Sequence, residues 1–349
     1  MKKTLIALAA LAATGASFAQ VTMYGVADVA VGAVDKKAGG LGLPSDKFQA
    51  IASNVLNNGN SRFGMKGSEE LGGGLKANFN FEGGFSLATG ATVGGSGQIL
   101  GAPSGAVMGA ESAAGTIPGT TLFSRTATVG LSGGFGSLDI GRQLTTSFFS
   151  VASWELTGTA NYSVVANQFG FGGPGPRDNA AVRYSTPAMG GFNAGLMYVP
   201  EGDGIYGTAA NPKGKYDLSI GYGAGPVVVS LATNKVDSGT EGTVLGGSYN
   251  FGVAKVALSY TTVKNGAGTK TTEGYSLGAS MPMGAFTFTF DMAQDTISRA
   301  ASSTDTNYLL EAKYALSKRT FVYGVYSFDG KGKAAEDVSG YALGLRHNF

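Results

Sequence analysis

The 349-residue chain contains no cysteine and a single histidine, His347, which lies two residues from its end. Without cysteine, neither a disulfide framework nor a thiolate metal site is possible. Enzymes that hydrolyse peptides or lipids typically need a histidine beside a nucleophile or a water molecule, and histidine is almost absent here. We therefore expect no enzymatic activity, no bound metal and no other cofactor.

Charged residues are also scarce, at 14% of the chain against about 25% in an average soluble domain. The 25 basic and 23 acidic residues nearly balance, and no basic patch is present that would bind nucleic acid. Glycine is abundant, with 58 residues, which disfavours helices. Because 43% of the residues are still apolar, the chain can bury a large surface, and a closed sheet suits this composition.

The first residues predict a secretory signal peptide. Two lysines precede a short apolar run, and Ser17 and Ala19 supply the small side chains that a signal peptidase requires. We expect cleavage between Ala19 and Gln20, so that residues 1–19 are removed and residues 20–349 form one mature domain. The apolar run is far shorter than the ~20 residues of a membrane helix, which argues against an uncleaved anchor.

Downstream of this segment, polar and apolar residues alternate in place of any long apolar run. From Phe286 to Met292, for example, apolar side chains alternate with Thr287, Thr289 and Asp291. This period of two is that of a strand with one apolar and one wet face. Sixteen such segments lie near 21–34, 61–70, 75–82, 123–133, 137–144, 179–187, 191–200, 214–223, 226–236, 241–251, 253–264, 272–281, 285–292, 308–314, 318–329 and 338–349.

The connections between these segments alternate between tight turns marked by glycine or proline and longer polar loops, which is the outer-membrane arrangement. In hydrocarbon every unpaired backbone group costs several kcal/mol, so a sheet that crosses a bilayer must close. At about sixteen strands the interior is too wide for side chains to fill. The sequence therefore predicts an all-β fold, a closed 16-stranded antiparallel transmembrane β-barrel with an aqueous interior.

Four stretches resemble the general Gram-negative outer-membrane porins, in the branch found in beta-proteobacteria. They are VTMYGVAD at 21–28, SRFGMKGSEELGGGLKA at 61–77, GRQ at 141–143 and YALGLRHNF at 341–349. The resemblance covers the whole mature chain and implies a homotrimer in the outer membrane with one pore per subunit. The last strand has Tyr341, Leu343, Leu345 and Phe349 in one phase, similar to the signal that the barrel-assembly machinery reads.

The resemblance also implies that the third long loop, residues 145–178, folds into the barrel and narrows it. Phe148, Phe149 and Trp154 are among six aromatic residues that could anchor it to the inner wall. The alternative is a flexible external loop. Related cation-preferring porins carry an acidic cluster here, whereas the only acid between Thr145 and Arg177 in this chain is Glu155.

Basic residues are expected to face this loop from the wall. Strand alternation turns Arg62, Lys66, Lys76 and Arg183 toward the lumen, since apolar neighbours occupy the lipid-facing phase. Alternation alone points Arg125 outward, but the matching arginine of related porins faces the pore, so a bulge or a strand end must redirect it. The constriction, which includes Glu155, should then be positive and concentrate anions.

Arg142 shares its phase with Leu138 and Ile140 and so is expected on the outer face, where an arginine costs about 2–4 kcal/mol at mid-bilayer. It therefore needs a partner. The loop 86–122 contains a single charge, Glu111, and in related trimeric porins this loop reaches over a neighbouring subunit. We expect Glu111 or a nearby backbone carbonyl to meet Arg142 across the trimer.

Together these features predict a passive general-diffusion channel for small hydrophilic solutes and ions with a mild preference for anions. One alternative is a substrate-specific channel for an anionic metabolite, which would show saturable block of conductance. A second is an adhesion or structural barrel that residues 145–178 plug, which would not conduct. An enzyme is the most distant alternative, because histidine is almost absent.

Overall fold

The computed structural model describes residues 21–35, 47–53, 55–93, 122–173, 175–201, 206–208, 211–297, 305–330 and 337–349. Sixteen strands of the described residues carry the predicted alternation and form one sheet. They are β1 (Thr22–Val34), β2 (Arg62–Gly72), β3 (Leu75–Phe85), β4 (Thr126–Gly133), β5 (Gly136–Leu144), β6 (Arg177–Ser185), β7 (Phe192–Val199), β8 (Lys215–Ala224), β9 (Val227–Val236), β10 (Glu241–Asn250), β11 (Lys255–Lys264), β12 (Lys270–Met283), β13 (Phe286–Asp295), β14 (Asp305–Ala315), β15 (Thr320–Gly330) and β16 (Val338–Asn348).

The sheet closes on itself because β1 pairs with both β2 and β16. The first half of β1 pairs with β2, as in Met23 with Met65, and the second half pairs with β16. Every other strand is antiparallel to its neighbours in sequence. Backbone bonds of 3.0 and 3.1 Å between Gly25 and Phe349 complete the seam. This confirms the predicted 16-stranded barrel, with strand ends displaced by at most three residues, as in 126–133 for the expected 123–133.

The outer surface is apolar and the inner surface is polar, as the alternation predicts. On β13, Phe286, Phe288 and Phe290 are 42–45% exposed to the surroundings, while Thr289 and Asp291 between them are only 3% exposed. An outer belt of exposed aromatic and aliphatic side chains would be costly in water. Hydrocarbon is the medium that such a surface matches.

The segment 145–178 lies inside the barrel and contains two helices, α1 (Thr146–Trp154) and α2 (Val164–Phe169), and a 3₁₀ turn (Gly170–Gly172). The α1 helix packs on β8, β9 and β10, and α2 packs on β13 and β14. The helices start where hydroxyl side chains accept backbone N–H bonds, Thr145 from Phe148 and Ser163 from Ala166. The inward-folded loop is thus present, and the external-loop alternative is wrong. No helix in the described ranges is long and apolar enough to cross a membrane.

Two glycines of β10 let this segment approach the wall closely. A Cβ atom on Gly246 would lie 2.3 Å from the Trp154 indole, and one on Gly242 would lie 1.4 Å from the Gly172 carbonyl oxygen. Neither distance is possible for real atoms, so only glycine permits this contact. The buried Trp154 and the 3₁₀ turn are consequently seated directly against the backbone of β10.

Shorter strands accompany the barrel. The strand Gln49–Ile51 pairs with β1, the strand Thr92–Val93 pairs with β3, and Tyr206–Thr208 forms a hairpin with Asn211–Lys213. They belong to the long connections and leave the pairing of the sixteen barrel strands unchanged.

Candidate functional site in the barrel lumen

A cavity of about 350 Å³ lies between the inserted segment 145–178, residues 58–60 and the inner wall. Five charged side chains line it, namely Arg62, Glu82, Arg125, Arg177 and Arg346. Four arginines and one glutamate give a net charge of 4 − 1 = +3. Because guanidinium groups remain protonated in proteins, this charge is permanent.

Glu82 on β3 holds two of these arginines. Its Oε1 lies 2.6 Å from Arg125 Nε, and its Oε2 lies 3.5 Å from Arg62 Nε. Arg125 precedes the first residue of β4, and its backbone N–H donates to the Glu82 carbonyl at 3.0 Å. Since it lies before the strand, the alternation of β4 does not govern its side chain, which turns inward to the carboxylate.

Arg346 and Arg177 complete the cluster, and neither is among the constriction residues predicted from the sequence. Arg346 Nη1 donates to Asn58 Oδ1 at 2.6 Å, and its guanidinium carbon lies 5.9 Å from the centre of the Phe321 ring. The inward phase of β16 includes Arg346, so alternation could have identified it. Arg177 is the first residue of β6, at the end of the inserted segment, where no periodicity indicates a direction.

Three other basic residues of the prediction, Lys66, Lys76 and Arg183, do not line this cavity. Lys76 Nζ lies 2.6 Å from Glu70 Oε1 beside the short turn after β2. Arg183 Nη2 lies 3.2 Å from Asp139 Oδ2 on the neighbouring strand β5. All three residues occupy inward positions on their strands. The charges of Lys76 and Arg183, however, are paired with the carboxylates of Glu70 and Asp139 and lie away from the cavity.

Glu155 requires a correction, because it does not contribute a charge to the cavity. The residue is 4% exposed, and its carboxylate accepts hydrogen bonds from Thr157 N, Thr157 Oγ1, Thr159 N and Ser163 Oγ at 2.6–3.0 Å. A carboxylate with this many donors serves as a scaffold for the turn between α1 and α2. The acid of the inserted segment is therefore structural, and Glu82 is the one carboxylate among the described residues that line the cavity.

Both ends of the inserted segment are fastened to β8. At its start, Asp217 Oδ1 accepts bonds from Thr146 Oγ1 at 2.6 Å, Ser147 Oγ at 2.7 Å and Ser147 N at 3.1 Å. At its end, Asp178 Oδ2 lies 2.8 Å from Lys215 Nζ. A carboxylate at the N-terminus of α1 also interacts favourably with the positive end of the helix dipole. These buried contacts hold the segment across the lumen.

Arg142 has partners within its own chain. Its Nε donates to the Ser124 carbonyl at 2.6 Å and its Nη1 donates to Asn179 Oδ1 at 2.5 Å, and the residue is only 8% exposed. A register shift after Gly141 interrupts the alternation at this point. The proposed partner Glu111 lies outside the described residues, as do Ala19 and Gln20.

The last strand presents its alternate residues on the outer surface, where they are 45–65% exposed, namely Tyr341, Leu343, Leu345 and Phe349. His347 shares this exposed phase. Its Nδ1 lies 2.8 Å from Thr320 Oγ1, and its ring stacks on Phe349. Within the described residues, no group of three or more histidine, aspartate or glutamate side chains is arranged to hold a metal ion.

Comparison with known proteins identifies the family to which this barrel belongs. The profile of the Gram-negative porins matches residues 4–335. The chain belongs to this family. It is similar over the full length of both chains to outer membrane porin protein 32 of Delftia acidovorans, at 33% identity, and to an outer membrane porin protein of Bordetella pertussis, at 29% identity.

Solved structures of other outer-membrane proteins have a similar fold. An anion-selective porin from Comamonas acidovorans superposes with a TM-score of 0.70 at 26% identity, covering 95% of this chain and 100% of that one. OmpT of Vibrio cholerae, at 14% identity and a TM-score of 0.64 over 94% of this chain and 97% of that one, shares the fold. This porin is therefore an outer-membrane barrel that forms a channel for small hydrophilic solutes, and its relatives are channels rather than enzymes.

Proposed function

We propose that this porin is a passive diffusion channel that prefers anions. The observation that carries the proposal is the cavity in which four arginines face a single carboxylate, with a net charge of +3. Fixed positive charge in a narrow aqueous passage raises the local concentration of anions and lowers that of cations. The anion-selective relative from Comamonas acidovorans supports the same direction.

The arrangement of the charges favours weak attraction over tight binding. Glu82 neutralises part of the charge on Arg62 and Arg125, and Asn58 holds Arg346. A channel conducts only if ions can leave as readily as they enter. Partly compensated arginines meet that requirement, since they attract anions without forming a closed oxyanion site.

The assembled form belongs to the same proposal. We infer a homotrimer in the outer membrane, formed after residues 1–19 are removed, with the C-terminal strand as the signal for the barrel-assembly machinery. Family membership supports this assembly, and the exposed phase of Tyr341, Leu343, Leu345 and Phe349 offers the apolar pattern that such a signal requires.

A salt gradient across a planar bilayer tests the anion preference. The purified wild-type protein should conduct. In a potassium chloride gradient its reversal potential should shift toward the equilibrium potential of chloride. A reversal potential shifted toward the equilibrium potential of potassium would overturn the anion preference without affecting the channel assignment. A complete failure of the folded protein to conduct would instead favour the plugged structural barrel.

A substrate-specific anion channel is the second candidate, because four guanidinium groups around about 350 Å³ could hold a multivalent oxyanion. Phosphate or a small dicarboxylate would then block chloride current with a saturating concentration dependence. A chloride current that is insensitive to both anions would support general diffusion.

A further inference from the structure

A second stretch of chain, residues 55–61, folds into the lumen opposite the inserted segment. Val55 and Leu56 are buried in the apolar cluster that also contains Trp154 and Tyr162. Asn57 and Ser61 are fully buried. This stretch lies just before β2 and lacks strand or helix structure, so its position depends on side-chain contacts and not on a ladder of backbone bonds.

A buried carboxylate on β1 anchors the stretch. Asp28 accepts bonds from Asn57 Nδ2 and from the Gly59 N–H, both at 3.1 Å. The hydroxyl of Tyr323 on β15 donates to Asp28 Oδ1 at 2.7 Å and accepts the Asn58 N–H at 3.0 Å. Buried charged groups persist only when donors surround them. Asp28 and Tyr323 therefore define where residues 57–59 cross the lumen.

The far side of the stretch reaches the inserted segment. Asn58 Nδ2 donates to the Tyr162 hydroxyl at 2.6 Å, and Asn161 Nδ2 donates to Asn60 Oδ1 at 2.7 Å. Asn58 Oδ1 accepts from Arg346 at 2.6 Å. One asparagine thus joins an arginine of the wall to the inserted segment, and residues 58–60 form part of the cavity lining.

Gly59 stands between two of the cavity arginines. A Cβ atom at this position would lie 3.0 Å from Arg346 Nη1 and 3.7 Å from Arg62 Nη1. The backbone of Gly59 is not in the left-handed region, so glycine is not needed there for conformational reasons. The missing side chain instead lets the backbone lie close to both guanidinium groups, since a Cβ atom would already crowd Arg346.

We propose that residues 55–61 are a second constriction element and that Gly59 determines the aperture and charge of the passage. The proposal rests on the channel function given above and adds to it the residue at which size and charge selectivity can be set. A side chain at position 59 would project toward Arg346 and Arg62. Its volume would narrow the passage, and a charge on it would alter the field there.

Thiol labelling tests this directly, because the chain has no cysteine of its own. Gly59→Cys is treated in the bilayer with an anionic sulfonatoethyl methanethiosulfonate or its cationic trimethylammonium analogue. The cavity of about 350 Å³ corresponds to about twelve water volumes of ~30 Å³ each, and the attached group displaces about a third to a half of them. We expect single-channel conductance to fall about twofold or more with either reagent.

The two reagents should shift the reversal potential in opposite directions. The sulfonate should reduce the preference for chloride, and the ammonium should increase it. Ser68→Cys is the matched control, since Ser68 lies on β2 in the same inward phase as Arg62 and is exposed away from the cavity. It should react with both reagents but leave the conductance within measurement error.

Labelled Gly59→Cys with unchanged conductance, in a wild-type background that conducts and prefers anions, would overturn the inference and leave the channel proposal intact. If Gly59→Cys yields no folded barrel, Asn60→Cys decides the question in the same assay, because Asn60 is the next residue of the stretch and also lines the cavity. Reagents that block equally at Ser68→Cys would likewise refute a local constriction at residues 55–61.

Discussion

Glu82→Gln isolates the contribution of the single carboxylate in the cavity. Glutamine keeps the shape of the side chain and an acceptor oxygen, while it removes the charge that lies 2.6 Å from Arg125 Nε and 3.5 Å from Arg62 Nε. The net charge of the lining side chains rises from 4 − 1 = +3 to +4. We therefore expect a stronger preference for anions.

The magnitude follows from Coulomb's law in a wet passage. One unit charge about 4 Å from an ion contributes about 1 kcal/mol at the dielectric constant of water, and salt screening reduces this to roughly 0.5 kcal/mol. That energy changes the local anion concentration by a factor of about two. Because cations are disfavoured by the same factor, the ratio of anion to cation permeability should rise about four- to fivefold.

Reversal potentials in a potassium chloride gradient measure this ratio. Arg62→Gln is the opposite-sign control, since it lowers the net charge of the lining from +3 to +2 and should reduce the ratio by a similar factor. Lys76→Gln is a neutral control, because Lys76 lies outside the cavity beside Glu70. A ratio that is unchanged in both Glu82→Gln and Arg62→Gln would show that this cavity is not where selectivity arises.

Three further predictions concern stability and assembly. Asp217→Ala should destabilise the folded barrel by about 3–5 kcal/mol in urea titrations, because it removes the acceptor at the start of α1 and one of the two carboxylates beside the buried Lys215, and an unchanged midpoint would contradict the anchoring role. Gly246→Leu should displace Trp154, the only tryptophan, which would appear as a red shift of fluorescence in the folded state, while an unshifted spectrum would contradict the contact. Phe349→Ala should lower the amount of folded protein in outer-membrane fractions, and normal amounts would argue against an assembly signal.

The insertion of two segments explains how a wide barrel becomes a narrow channel. Sixteen strands leave a lumen that side chains alone do not fill. The segment 145–178 crosses it from β8–β10 to β13 and β14, and residues 55–61 approach from the side of β1 and β15. The wall provides the arginines, and the inserted segments determine which of them face the remaining water.

The sequence by itself determined the barrel. Each strand residue must face either lipid or the interior, so the period-two pattern of a stretch such as Phe286 to Asp291 already specifies strand, face and register. Sixteen alternating segments gave the number of strands, the alternation of tight turns with long loops indicated an outer-membrane sheet, and the cost of unpaired backbone groups in hydrocarbon required closure. These signals are local, and for this reason the predicted strand ends lie within three residues of those observed.

Only the tertiary structure decided which inward charges act on the passage. Strand alternation treats Arg183 and Arg346 alike, but Asp139 on a neighbouring strand pairs with the first, while the second reaches the cavity. Loops have no period, so nothing in the order of residues indicated that the Glu155 carboxylate would accept hydrogen bonds from within its own segment. The position of Gly59 depends on an Asp28–Tyr323 bond between residues 295 positions apart, and such a contact exists only once the barrel has closed.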